Sequence, residues 1–109
     1  MISADAIRGY VDLIVLTLLT RRESYAYELA RQISETSLGE YTIKQTTLYT
    51  AVKRLEASGL VDSHPGLSES GKPRTYYRIT PAGRAHLTEK AEEWALTKSV
   101  VDRFVEGIR

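Results

Sequence analysis

The feature that most constrains this chain's fold is a helical pattern that ends at a glycine and runs directly into two short strand patterns. Over residues 46–58 the apolar side chains Leu48, Val52 and Leu55 recur at helical spacing, and Gly59 follows as a helix stop. Residues 60–64 and 74–79 then have strand patterns, separated by a stretch rich in glycine, proline and serine. The segment therefore predicts a helix followed by a β-hairpin.

The side of this helix opposite its apolar residues has the composition of a DNA-reading surface. It collects short hydroxyls, one tyrosine and two cations, with Glu56 at its margin as the one carboxylate. Short hydroxyl side chains let a helix approach base edges, whereas Lys and Arg reach phosphates or guanine. An ordinary solvated face is the alternative, although such a face more often mixes Glu with Lys. We predict that the major groove is read by Thr46, Thr47, Tyr49, Thr50 and Lys53, with Lys44, Gln45 and Arg54 on phosphates or the minor groove.

The hairpin predicts a second DNA-binding element. In its second strand Thr75, Tyr77 and Ile79 should face inward, and the alternating side chains are basic or aromatic. Three helices followed by a hairpin with a basic tip form the winged-helix arrangement, a mainly α fold with a small β-hairpin. The alternative is a hairpin that only covers the core. As a wing, it would contact phosphates or the minor groove through Lys72, Arg74 and Tyr76.

The first helix pattern, roughly Ala4–Leu19, is apolar on most of its sides. A helix of this kind must be covered on most sides, which so small a domain can hardly do alone, and this indicates a partner chain. A second helix is predicted from Tyr25 to about Glu35 with Ser24 as its N-cap. Residues 41–43 are predicted to form a short extended piece.

Composition and charge narrow the function classes. The chain has 109 residues, enough for one domain, and no cysteine, which excludes disulfides and Cys-ligated zinc. Residues 44–84 hold seven basic and three acidic side chains, whereas the segments on both sides are net acidic. His64 and His86 are far apart, and no catalytic or phosphate-binding motif is present. We expect no enzyme activity, metal, cofactor or membrane partner, and, without a signal-peptide pattern, a cytoplasmic protein.

Several motifs, in this order and spacing, resemble the PadR family of bacterial transcriptional repressors. The resemblance covers about residues 8–95, and the length, with one helix after the hairpin, is similar to the short branch that includes multidrug-responsive repressors. It implies the winged-helix fold and a DNA-binding repressor. The motifs are Leu16-Leu18-Leu19, Ser24-Tyr25-Ala26-Tyr27-Glu28-Leu29, Thr47-Leu48-Tyr49, Lys53-Arg54-Leu55-Glu56, Gly59-Leu60, Pro73-Arg74 and Tyr76-Tyr77-Arg78-Ile79-Thr80 with Gly83.

The last helix is expected to form a dimer. Thr80 and Pro81 supply an N-cap and a first-turn proline. We therefore predict a DNA-binding domain over residues 1–80 and a C-terminal dimerisation helix over residues 81–109. The resemblance implies packing against the partner's first helix, and a twofold dimer would suit a palindromic operator in double-stranded DNA. A heptad seam with one cation in it is formed by Leu87, Ala91, Trp94, Lys98, Val101, Val105 and Ile108.

Trp94, the one tryptophan, has two interpretations. It could be an interface core residue, or a stacking platform for a planar aromatic or cationic effector. The resemblance implies the second role, because the multidrug-responsive branch carries a tryptophan there, after a Glu-containing stretch like Glu92-Glu93. Asp12 interrupts the apolar first helix and Lys98 interrupts the seam, so the two could pair across the dimer or line a wet pocket. The candidate effector site comprises Asp12, Leu13, Trp94 and Lys98.

The resulting hypothesis is a homodimeric, sequence-specific DNA-binding regulator that acts as a repressor and is released by a small effector. The competing hypothesis is a winged-helix adaptor that binds proteins and not DNA. Salt-dependent DNA binding would distinguish the two, because neutralised phosphates release counterions and an adaptor would neutralise none.

Overall fold

A computed structural model describes residues 1–108. The helices are α1 (Ala4–Ile7), α2 (Val11–Arg21), α3 (Ala26–Thr36), α4 (Gln45–Ala57) and α5 (Pro81–Glu106), with a 3-10 turn over Arg8–Tyr10. The strands are β1 (Ser24–Tyr25), β2 (Val61–Leu67) and β3 (Pro73–Ile79). They form one antiparallel sheet in the order β1-β3-β2. This architecture confirms the predicted fold class, mainly helical with a small hairpin.

The core lies between α2, α3, α4 and the inner face of the sheet. The helical pattern of α4 is confirmed, since Leu48, Ala51, Val52 and Leu55 are all buried. On β3, Tyr77 and Ile79 face inward as predicted, but Thr75 is exposed. Thr75 is exposed because it pairs with Pro65 in the part of the hairpin that extends beyond the core.

The first helix differs from its prediction as one continuous element. It ends at Ile7, passes through a 3-10 turn and restarts at Val11. Gly9 has a low helix propensity, and Tyr10 has a φ of −117°, outside the helical range. The break separates the exposed α1 from α2, whose residues Val15 and Leu16 are completely buried. Within the single chain, α2 buries five apolar side chains: Val11, Val15, Leu16, Leu18 and Leu19.

Three local predictions also need correction. Ser24 is not an N-cap, because it pairs with Tyr77 as part of a third strand, and Tyr25 occupies the cap position of α3 without a side-chain bond. Residues 41–43 form no strand, although Tyr41 and Ile43 are buried. Strand β2 runs three residues further than predicted, through Pro65 and Gly66 to Leu67, because its pairing with β3 continues to Pro73. The ring of Tyr76 packs where a Cβ of Gly66 would lie.

The first turn of helix α5 packs very closely against the backbone before strand β2. Thr80 caps it by accepting a hydrogen bond from the backbone N–H of Gly83 at 3.0 Å. Gly83 is buried, and a Cβ there would lie only 2.1 Å from the carbonyl oxygen of Leu60. This close approach fixes where α5 leaves the domain.

The substitution Gly83→Ala should lower the free energy of unfolding by about 2 kcal/mol or more, because backbone must shift to admit the methyl group. Urea denaturation followed by circular dichroism measures the change. Gly9→Ala is the matched control, since nothing lies within 4 Å of a Cβ built there. Equal stability of the two variants would contradict the packing at Gly83.

Candidate nucleic-acid interface

Helix α4 presents one continuous polar face. Its buried residues all lie toward the core, and the eight side chains predicted to contact DNA are all exposed. The helix thus separates a packing side from an accessible side, as the sequence predicted. The eight exposed residues are Lys44, Gln45, Thr46, Thr47, Tyr49, Thr50, Lys53 and Arg54.

Two contacts organise this face. The hydroxyl of Thr50 donates to the carbonyl oxygen of Thr46 at 2.9 Å, which leaves the oxygen of Thr50 available as an acceptor. The ammonium of Lys53 lies 5.4 Å from the ring centroid of Tyr49. Tyr77, Tyr49 and Glu56 raise the pKa of Lys53, so its charge is secure at neutral pH. The face therefore offers hydroxyls, one aromatic ring and a fixed cation.

Glu56, at the margin of the face, fastens α4 to the hairpin. Its carboxylate accepts a hydrogen bond from the Ser63 hydroxyl on β2, and this bond lowers the pKa of Glu56. The carboxylate also lies 3.5 Å from the ammonium of Lys53. The one acid near the face is thus directed toward β2.

A groove of about 480 Å³ runs between α4 and the N-terminal segment. It is lined by cations and threonine hydroxyls together with apolar side chains, and no carboxylate lines it among residues 1–108. Arg8 and Thr42 belong to this lining, and sequence reasoning missed both, since Arg8 is remote from α4 in the chain and Thr42 lies before the predicted helix. The polar lining residues are Arg8, Thr42, Lys44, Thr46, Thr47, Thr50 and Arg54. Such a surface suits a phosphodiester backbone.

The predicted wing residues have different environments. Lys72 is exposed in the turn between β2 and β3. Arg74 is partly buried, with its guanidinium carbon 5.2 Å from the ring centroid of Tyr25. Tyr76 packs between Tyr25 and His64, and its hydroxyl donates to the carbonyl oxygen of Leu67 at 2.8 Å. Tyr76 thus braces the hairpin, and Lys72 is the most accessible of the three.

His64 is also held on this outer face of the sheet. Its Nε2 lies 2.9 Å from a carboxylate oxygen of Glu23, and this contact raises the pKa of His64. The pair ties β2 to the segment before β1. The interaction is strongest when His64 is protonated, and it weakens as pH rises through the raised pKa.

Three of the four predicted effector residues meet at a second, smaller groove. It has a volume of about 180 Å³ between the start of α2 and the middle of α5. Trp94 contacts Tyr10 edge-to-face, with ring centroids 4.8 Å apart. Asp12 and Leu13 line the groove, whereas Lys98 lies outside it and approaches Asp102 at 3.6 Å. Sequence reasoning missed Tyr10, Gly9, His86, Lys90, Glu93 and Thr97.

Of the missed residues, those on α5 had a detectable pattern. His86, Lys90, Glu93 and Thr97 share the helical face of Trp94 at spacings of three and four residues. Tyr10 gave no comparable indication, because the prediction placed it within a continuous apolar helix. The short break before α2 brings its ring to Trp94.

The outer half of α5 carries exposed apolar side chains. Trp94 is 40% exposed, and the exposed fractions rise to 52% at Val101 and 77% at Phe104. The helix extends beyond the core, and the molecule measures 54 by 29 by 21 Å. A separate, mainly apolar groove of about 260 Å³ borders α2 and includes Ile7, Ile14 and Leu18. Both surfaces have the character of an interface.

Two kinds of feature are absent from the described part of the chain. None of the helices within residues 1–108 combines the length and apolar character that crossing a bilayer requires. Over the same residues, no group of three or more His, Asp or Glu side chains is arranged to hold a metal ion.

Comparison with known proteins identifies the protein family. Residues 15–89 match the model of the transcriptional regulator PadR-like family. A transcriptional regulator from Clostridium thermocellum has 50% sequence identity and a TM-score of 0.87, covering 96% of this chain and 99% of its own. A PadR family transcription regulator from Clostridium difficile has 34% identity and a TM-score of 0.78, covering 89% and 99%. A Mycobacterium tuberculosis transcriptional regulator is 38% identical over 82 residues, 75% of this chain and 73% of its own.

Proposed function

We propose a function from one premise: the chain belongs to the PadR-like family of transcriptional regulators, which confirms the resemblance found in its motifs. In this proposal the chain is a homodimeric repressor that binds a palindromic operator in double-stranded DNA. Helix α4 enters the major groove, and the β2–β3 hairpin acts as the wing. The observation that carries the proposal is the accessible face of α4, which combines hydroxyls, Tyr49 and Lys53 beside a groove that no carboxylate of the described residues lines.

Residues 1–80 act as the DNA-binding domain, and α5 as the dimerisation helix. The exposed apolar side chains on the outer half of α5 would be buried by packing into the apolar groove beside α2 of a second copy. Burying one such side chain contributes about 1.5–3 kcal/mol. A reciprocal exchange of the two α5 helices satisfies both surfaces and separates the two copies of α4 for adjacent half-sites.

DNA binding by the wing is tested through its salt dependence. Replacing Lys72 and Arg74 together with Ala should weaken binding to all sequences and reduce the slope of log affinity against log salt by ~1–2. Lys72→Ala alone should give most of this change, because Arg74 is partly withdrawn onto Tyr25. Fluorescence anisotropy at several salt concentrations measures the slope.

Lys98→Ala is the control for Lys72→Ala, since each substitution removes one positive charge and Lys98 lies on α5, away from the hairpin. It should leave the slope unchanged. An unchanged slope in the Lys72 and Arg74 variant would contradict the wing assignment, and salt-independent or absent binding by the unaltered protein would favour the adaptor hypothesis.

The groove beside Trp94 supports a second part of the proposal, a small planar aromatic or cationic effector. An edge-to-face pair of aromatic rings and a nearby carboxylate form a binding surface for such a molecule. Because the chain has one tryptophan, its fluorescence reports on this groove alone. A planar cationic dye should quench it in a saturable manner. If no member of a broad dye panel quenches, the interface interpretation of Trp94 stands instead.

A further inference from the structure

One ion pair connects the groove beside Trp94 with the DNA-facing groove of α4. Arg54, in the last turn of α4, donates to the carboxylate of Asp12, in the first turn of α2. The two residues are 42 positions apart in the chain. Asp12 lines the groove of Trp94, and Arg54 lines the groove that contains Thr46, Thr47 and Thr50. A single contact therefore has one partner in each candidate site.

Both partners remain accessible from their own grooves. The side chain of Asp12 is 34% exposed and that of Arg54 is 55% exposed. Arg54 contacts Asp12 through one terminal nitrogen, and a guanidinium has further N–H donors in the same plane that can bind a phosphate. Asp12 thus fixes the orientation of a planar donor without using all of its donors.

The other charges at the Trp94 groove do not compete strongly for Asp12. The ammonium of Lys90 lies 3.5 Å from the carboxylate of Glu93 on the same helix, so these two charges largely offset each other. His86 is the remaining titratable group of the lining besides Tyr10. A ligand cation that stacks on Trp94 would find two carboxylates in the lining, those of Asp12 and Glu93, and contact with Asp12 would take the place of Arg54.

We propose that Asp12 positions Arg54 for a DNA phosphate, and that an aromatic cation bound beside Trp94 weakens DNA binding by competing for that carboxylate. The inference rests on the proposed function, because it needs α4 on DNA and a ligand beside Trp94. It adds the residue through which the two sites communicate. Asp12 is a positioning residue for DNA and a direct ligand for the cation.

The first test is the DNA affinity of Asp12→Asn at fixed ionic strength. We expect a loss of about 3- to 10-fold, since an unheld arginine must be ordered when DNA binds. Long-range electrostatics alone would give the opposite sign, because the substitution removes a negative charge from a DNA-binding protein. Glu35→Gln is the control: it removes a carboxylate that pairs with Arg31 on α3, outside the linings of both grooves, and its affinity should stay equal or rise.

A double-variant cycle separates positioning from general destabilisation. In the Arg54→Gln background, Asp12→Asn should have no further effect on DNA affinity. Binding by Asp12→Asn that equals or exceeds that of Glu35→Gln would overturn the positioning role. Equal losses from Asp12→Asn with and without Arg54 would overturn it as well.

The second test uses benzyltrimethylammonium, an aromatic cation that does not intercalate in DNA, with benzyl alcohol as its neutral counterpart. At constant ionic strength the cation should raise the dissociation constant of the unaltered protein for DNA and leave that of Asp12→Asn unchanged. Benzyl alcohol should affect neither. Quenching of Trp94 by the cation without any change in DNA affinity would overturn the coupling, whereas absence of DNA binding in the unaltered protein would contradict the proposed function itself.

Discussion

Replacing Thr50 with Glu should abolish operator binding while leaving the fold intact. The new carboxylate would stand in the middle of the exposed face of α4, against base-edge oxygens and phosphates. Like charges brought together at an interface cost several kcal/mol, so we expect an affinity loss of roughly 100-fold or more. Glu is a better helix former than Thr, so the helix itself should not suffer. Anisotropy with labelled operator measures the loss.

Thr88→Glu is the control for this variant. Thr88 is an exposed mid-helix threonine on α5 whose hydroxyl donates to the carbonyl oxygen of Arg84, just as Thr50 donates to Thr46. The two variants make the same chemical change in the same local setting, but only one lies on the α4 face. Comparable DNA affinity in both, at unchanged thermal stability, would show that this face does not contact DNA.

Placing Asp at both Val101 and Phe104 should convert the proposed dimer to a monomer. These side chains are 52% and 77% exposed in the single chain, and the proposed interface buries both. Two carboxylates in a buried apolar interface carry a large desolvation penalty. Operator affinity should fall about 100-fold or more, because the second half-site then binds independently and the gain in effective concentration is lost. Sedimentation equilibrium measures the oligomeric state.

Asp at both Ala95 and Ser99 is the control for the dimer variant, since these exposed neutral residues lie on another side of α5 and the net charge changes equally. It should remain dimeric and bind the operator normally. A dimer that survives the Val101 and Phe104 substitutions would contradict the interface on α5. A monomer that keeps full operator affinity would contradict the need for two copies.

The sequence predicted the elements whose residues carry a repeated pattern. Helix α4 was located within one residue at each end, since Leu48, Val52 and Leu55 define its apolar side and Gly59 follows it. The hairpin was found for the same reason, through the inward side chains Tyr77 and Ile79. In both cases burial of one side against the core imposes the spacing that the sequence displays.

Features that depend on a contact between distant residues were not predictable in this way. Ser24 has the composition of an N-cap, but pairing with Tyr77 takes it into the sheet. The contact between Tyr10 and Trp94 needs the packing of α5 on α2. Asp12 was noted as an irregularity in an apolar helix, yet its pairing with Arg54 requires α2 and α4 to be placed side by side. Periodicity describes one element at a time, whereas these contacts join two.

We propose that two copies of α4 read adjacent sites on DNA. The most direct measurement is selection of the fragments that the full chain binds from the genome of its source, followed by footprinting of the enriched sequence. The proposal predicts a twofold symmetric sequence whose half-sites are about one helical turn apart or a multiple of it, with protection that Thr50→Glu removes. An absence of any enriched sequence, or an asymmetric footprint that persists in the Thr50→Glu variant, would contradict it.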